Sequence, residues 1–215
     1  MNASKPLTKA TAAKPSVAAV VVAVAALAAG CASSPSTAPV LLSLPPATTG
    51  AAAATGPAEA AAPRLLAVRR VAIPEYLVAR RVRFRADAST LAEWPNTFWA
   101  ERIEIGVSRE FVSALRQQLP GWALCENTCG DRLPSLALEV DLVPMDFVRS
   151  SQTLQARARV TVSSAGAMPH VLQTREWEYA LPATTDTAQG HAQAVTELIR
   201  KVAEATAPLV KAAQP

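Results

Sequence analysis

The clearest signal along this chain is a set of runs in which apolar and polar side chains alternate. Leu136, Leu138, Val140 and Leu142 interleave with Ala137, Glu139, Asp141 and Val143. Leu154, Ala156, Ala158, Val160 and Val162 interleave with Gln155, Arg157, Arg159, Thr161 and Ser163. A period of two sends successive side chains to opposite faces, so both runs predict strands with one buried face. A third strand, residues 171–181, sets Val171, Gln173, Arg175, Trp177 and Tyr179 against Leu172, Thr174, Glu176 and Glu178. Gly166 and Pro169 suit the hairpin turn before it. An antiparallel meander of the three would bring Glu139 and Asp141 near Arg157 and Arg159, which would face Glu176 and Glu178. Such cross-strand pairs contribute roughly 0.2–1 kcal/mol each and fix register, so these carboxylates read as structural rather than as an acid–base pair.

Upstream, residues 65–73 are rich in Val, Leu and Ile and end at Pro74, which predicts a strand. Arg81, Val82, Arg83, Phe84 and Arg85 alternate again, with three arginines on one face. Residues 97–119 predict a helix: Trp99, Ile103, Val107, Phe111, Leu115 and Leu119 recur every fourth position. Asn96 is the expected cap and Pro120-Gly121 the stop. A short strand is expected over residues 122–125. The chain closes on a second amphipathic helix with Val195, Leu198, Ile199, Val202 and Leu209 as its stripe. Asp186 followed by Gln189 resembles a capping box, and Pro208 is expected to limit its end. This order predicts a single α+β domain over residues 64–213, a mainly antiparallel sheet with two amphipathic helices packed on one face.

The first 63 residues have a different character. Lys5, Lys9 and Lys14 precede an uncharged Ala/Val run of 13 residues, 17–29. That run is too short for a bilayer core of ~30 Å, which needs ~20 helical residues, and it matches a secretory signal peptide instead. Leu27-Ala28-Ala29-Gly30-Cys31 resembles a lipobox, in which the cysteine thiol is acylated and becomes the new N-terminus. Residues 1–30 are thus read as a leader. Residues 31–63 are read as a lipidated Ala/Pro-rich tether whose only charge is Glu59. An exception inside it is Val40-Leu41-Leu42-Ser43-Leu44, which could add a short strand to the sheet. Ala32 follows the cysteine where inner-membrane lipoproteins commonly carry Asp, so the expected address is the outer membrane, facing the periplasm.

Removing the leader changes the charge. It holds three of the 21 Lys and Arg and none of the 17 Asp and Glu, leaving a net +1. The sequence pI of 9.3 is therefore partly a property of the leader, and net charge gives nucleic-acid binding no support. In an oxidising compartment, Cys125 and Cys129 are candidates for a small-loop disulfide with mainly local effect. Redox motifs have two intervening residues rather than three, and a zinc site would need two further ligands.

Pro74-Glu75-Tyr76-Leu77 with Arg80, the arginine-flanked strand, Glu93-Trp94 and Trp99-Ala100-Glu101 resemble, in that order, the PqiC-type or ABC-transport auxiliary lipoproteins. The resemblance runs over nearly all of residues 65–213. The family's early aromatic pair is here only Leu41-Leu42, and Cys125/Cys129 lie outside its pattern. The resemblance implies a non-enzymatic accessory of MCE-domain transporters, with their ABC permease and ATPase, that carry lipids between membranes. It makes a homo-oligomer conceivable as a docking part.

The residues agree with a role other than catalysis. There is no Gly-rich phosphate loop, Gly-x-Ser-x-Gly turn or His-Glu-x-x-His helix, so no catalytic residue, cofactor or metal is assigned. His170 is expected in a hairpin loop and His191 near the last helix start, both solvated. The candidate contact residues are Arg69, Arg70, Arg80, Arg81, Arg83 and Arg85, with Glu75 the only acid among residues 64–85. They could meet an acidic partner or lipid head groups, or simply keep a strand edge from aggregating. Tyr76, beside Pro74 and Leu77, is either an exposed anchor or part of a turn folded into the core. The alternatives to a docking subunit are a structural envelope lipoprotein and a periplasmic enzyme.

Overall fold

The run that begins at Leu136 becomes the strand on which the whole sheet is organised. The computed structural model describes residues 38–47 and 64–213. The expected leader, residues 31–37 (Cys31 among them) and 48–63 of the expected tether, and residues 214–215 lie outside them. In chain order the elements are β1 (Val40–Leu42), β2 (Arg64–Val68), β3 (Arg81–Arg85), β4 (Leu91–Trp99), α1 (Ile103–Gln118), β5 (Trp122–Glu126), β6 (Leu136–Val148), β7 (Thr153–Ser164), β8 (Val171–Pro182) and α2 (Ala188–Ala212). Together they form the expected α+β domain with two helices.

The sheet is mixed. β6, β7 and β8 form the antiparallel meander, and β3 pairs antiparallel with β4. The other edge of β6 is shared: its first half takes β2 in parallel, and its end meets β3 at Arg85↔Val148. β5 adds to β2 and β1 adds to β4, both in parallel. The two branches terminate in short edge strands, with β1 at one end and β5 at the other.

One face of β6 and β7 is buried throughout, from Leu136 to Phe147 and from Leu154 to Val162, and the helices cover it. The opposite face carries the charges in the expected register. Arg159 lies between Asp141 and Glu176, 2.6 Å from the latter, and Arg157 is 3.2 Å from Glu178. Glu139 departs from the expectation: it faces Thr161 and pairs with Arg69 at 2.5 Å.

Four boundaries move. The strand expected over residues 65–73 ends at Val68, and beyond it Ala72 makes an isolated bridge to Asp141. Residues 97–99 end a strand rather than begin α1. Thr97 and Trp99 are buried and Phe98 is half-buried, so over these three positions the period is two. Asn96 does not cap α1. It sits at φ 50 inside β4, where the pairing with β3 shifts register. Arg102 precedes α1 instead, without a side-chain cap. At the second helix the cap is Thr187, whose hydroxyl accepts the Gly190 N–H at 3.0 Å, while Asp186 turns to Arg149. Gly190 is required there, because a Cβ would stand 2.3 Å from the Thr185 carbonyl oxygen. Pro208 does not end α2. Its ring is on the exposed side, and buried Ala207 and Val210 hold the last turn against the core despite the lost backbone donor.

β1 opens a strap, residues 38–47, that ties the sheet to both helices. Leu42, Leu44 and Ala47 are buried. The Ala47 N–H donates to Glu110 Oε2 on α1 at 3.1 Å, and the Thr196 hydroxyl on α2 donates to the Pro45 carbonyl at 3.1 Å.

Candidate docking surface

β3 supplies the arginine face because Val82 and Phe84 are drawn into the core, leaving Arg81, Arg83 and Arg85 on the opposite side. The structure then gives each of them a carboxylate from a strand that sequence spacing could not place nearby. Arg81 and Arg83 both lie 3.3 Å from Glu93 on β4. Arg85 lies 3.0 Å from Asp146 on β6, which also accepts the Tyr76 hydroxyl at 2.9 Å. Arg83 donates to the Tyr76 carbonyl at 2.8 Å, fixing the turn at Glu75–Leu77 from below. Burial, followed by the neighbouring Asp146 carboxylate, raises the Tyr76 phenol above its ordinary range. Pro74 is buried and Leu77 packs against the core, so this turn is folded in.

Replacing Tyr76 with Phe removes one hydrogen bond to a carboxylate that Arg85 still holds. The expected loss is about 1 kcal/mol of unfolding free energy in urea, and an unchanged midpoint would show the hydroxyl to be idle.

Of the six arginines, Arg69 and Arg85 each pair with a carboxylate of their own, while Arg81 and Arg83 share the single charge of Glu93. Arg70 and Arg80 have no carboxylate within ion-pair distance among the described residues. They line separate shallow grooves beside the first turns of α1. Arg80 shares one of ≈ 300 Å³ with Val78, Trp99, Arg102 and Glu104. Arg70 shares another of ≈ 310 Å³ with Arg69, Ile105, Arg109 and Asn127. The second groove is bounded by the Cys125–Cys129 disulfide loop, whose Cα atoms are 5.3 Å apart. That loop holds Asn127 at φ 59, so that its Oδ1 accepts the Arg70 N–H at 3.1 Å and its own N–H reaches Val68 O at 3.0 Å. Arg149 was not a sequence candidate. It stacks 4.5 Å from the Trp94 ring centroid and 5.0 Å from that of Phe84 while bonding Asp186.

The histidines differ from expectation. His191 is 4% exposed rather than solvated, stacked on Phe147 at 4.7 Å and edge-on to Trp99 at 6.2 Å. Its Nδ1 has no hydrogen-bond partner among the described residues, and burial lowers its pKa to about 3. His170 holds the Ser164 hydroxyl at 2.7 Å and closes the β7–β8 hairpin. Among the described residues, no three His, Cys, Asp or Glu side chains gather as metal ligands would.

What distinguishes the site is a surface with two arginines, Arg70 and Arg80, that have no ion-pair partner among the described residues and line shallow grooves. Against known families, the model for the ABC-type transport auxiliary lipoprotein component matches residues 43–207, about three quarters of the chain. The chain belongs to this family. The match includes the second half of the strap, so residues 43–47 are part of the auxiliary lipoprotein domain itself. No curated protein matches. Two solved structures share the fold of the auxiliary lipoprotein. One, described only as an uncharacterized protein, has 17% identity and a TM-score of 0.64, covering 81% of this chain and 99% of its own. The other is protein XCC0632 from Xanthomonas campestris, at 15% identity and a TM-score of 0.53, covering 80% and 92%. Among the described residues of the auxiliary lipoprotein, no helix is long and apolar enough to cross a membrane.

Proposed function

We propose that this auxiliary lipoprotein is a non-enzymatic docking subunit of an MCE-type ABC system moving lipid between the two membranes. It is anchored through acylated Cys31 in the outer membrane and faces the periplasm. The observation that carries the reading is the family match over residues 43–207, joined to the lipobox-like Leu27–Cys31 and the Ala at position 32. The chemistry of the surface supports it. Arg70 and Arg80 offer guanidinium groups that pair well with a partner's carboxylates or with phosphate. His191 is shut among aromatic rings and His170 is committed to a hairpin, which leaves neither placed to move protons for a substrate. The disulfide between Cys125 and Cys129 suits the oxidising periplasm and would keep the Arg70 groove in shape.

Capture of the lipoprotein from native membranes in a mild detergent is expected to bring an MCE-domain protein with it. The intact mass of the same preparation is expected to place an acylated cysteine, residue 31, at the N-terminus. An unmodified cysteine, or cleavage elsewhere, would remove the anchor. Absence of any MCE-domain protein would remove the partner.

A further inference from the structure

The edge of the sheet at β1 carries exposed apolar side chains. Val40 and Leu41 are 43% and 57% exposed, two adjacent large apolar side chains. Leu41 sits beside Phe98 in the β1–β4 register, and Phe98 sits opposite Arg81 in the β4–β3 register. All three are on the face away from the helices, because their neighbours Leu42 and Trp99 are buried. The row thus passes from an apolar edge, through a half-buried ring, to a guanidinium 5.0 Å above that ring. Arg80, with no carboxylate in ion-pair reach among the described residues, and Arg102, 65% exposed beside Glu104, flank it.

Chain length limits how far this edge can stand from the anchor. From Cys31 to Val40 there are nine residue steps, and however they are arranged they reach at most about 30 Å. Strands β7 and β8, of 12 residues each, run for about 40 Å. A tether shorter than the sheet is long cannot carry the β1 edge to the far side of the domain from its anchor. Resting on the reading that Cys31 is acylated, we infer that the β1–β4 edge lies against the phospholipid surface. Val40, Leu41 and Phe98 enter the head-group layer, and Arg80 and Arg81 bond phosphate. Arginine and aromatic side chains suit that boundary, since each has an apolar body and a polar or charged end.

The test uses the full lipoprotein with its acylation verified by intact mass. Hydrogen–deuterium exchange is compared in vesicles of phosphatidylethanolamine and phosphatidylglycerol and in non-ionic detergent micelles. In vesicles, exchange at residues 39–42 and 97–100 is expected to slow about tenfold, the factor that withdrawing one leucine side chain from water corresponds to. The β7–β8 hairpin around Met168 is expected to be unchanged. Leu41→Asp, at an exposed position, should abolish the slowing and leave the urea midpoint in place. Acylated protein with no slowing, or slowing that survives Leu41→Asp, overturns the inference and leaves the lipoprotein reading standing. Slowing that appears equally in micelles and grows with protein concentration assigns the edge to a second copy and also overturns it. A preparation without acyl chains fails the reading on which the inference rests, and the inference with it.

Discussion

Lowering the pH from about 7.5 to about 4.5 is expected to remove roughly 2–3 kcal/mol of unfolding free energy through His191 alone. In the folded protein this imidazole stays neutral down to about pH 3, because burial against Phe147 and Trp99 takes away the water that would hydrate a cation. In the unfolded chain it takes up a proton below its ordinary value of 6.5. The folded pKa is the depressed one, so the stabilisation is complete above 6.5. It is lost at about 1.4 kcal/mol per pH unit as the pH falls toward 3. Carboxylates also titrate at the acid end of this range, and the comparison with His191→Phe cancels them. A phenyl ring keeps the stack on Phe147 and discards the unpartnered Nδ1, so near neutral pH the variant should lie within about 1.5 kcal/mol of the parent. The difference between the two, taken from urea unfolding at several pH values, should widen in the variant's favour below pH 6.5. A difference that stays constant with pH would mean that water or a neighbouring group serves the imidazole.

The strap should matter as much as a core helix. Leu42→Ala and Leu44→Ala each remove a buried side chain, and such truncations destabilise by about 2–5 kcal/mol. Together they approach the whole stability of an ordinary domain, about 5–15 kcal/mol. The strap's polar contacts make its loss worse. Without the Ala47 N–H, the buried Glu110 carboxylate keeps, among the described residues, its contact with Arg109 at 3.2 Å. The double variant is therefore expected to be largely unfolded in modest urea where the parent is intact. A combined loss below about 1 kcal/mol would show that residues 38–47 merely lie on the surface.

The meander was legible because β6 and β7 bury one face along their whole length, which forces strict alternation and with it the charge register of Arg157 and Arg159. The start of α1 was not. Trp99 stands four residues before Ile103, so it fits the helical stripe as well as it fits the short alternation of residues 97–99, and only the pairing with β1 and β3 decides. β4 was missed for the same reason: its register shift at residues 94–97 interrupts the period that would have announced it. His191 did carry a signal. It precedes Val195 by four positions and Leu198 by seven, on the buried stripe of α2, and its spacing outweighed its polarity. The arginine surface was half legible. Their clustering is local, but Glu93 and Asp146, which pair with three of them, arrive from other strands. Which arginines stay available is a property of the tertiary register and not of composition.

The short β1 strand also sets how the protein would bear a pull. Tension on the chain ahead of Val40 enters through three paired residues and the leucines behind them, whereas β7 is clamped along 12 residues between two neighbours. Under load the strap would yield first. Because Leu42, Leu44 and Ala47 belong to the core, its release would open the space between the helices and β4, and the sheet would follow. The resistance of the domain to a pull from its N-terminal side is therefore set by this short strand and not by the long meander.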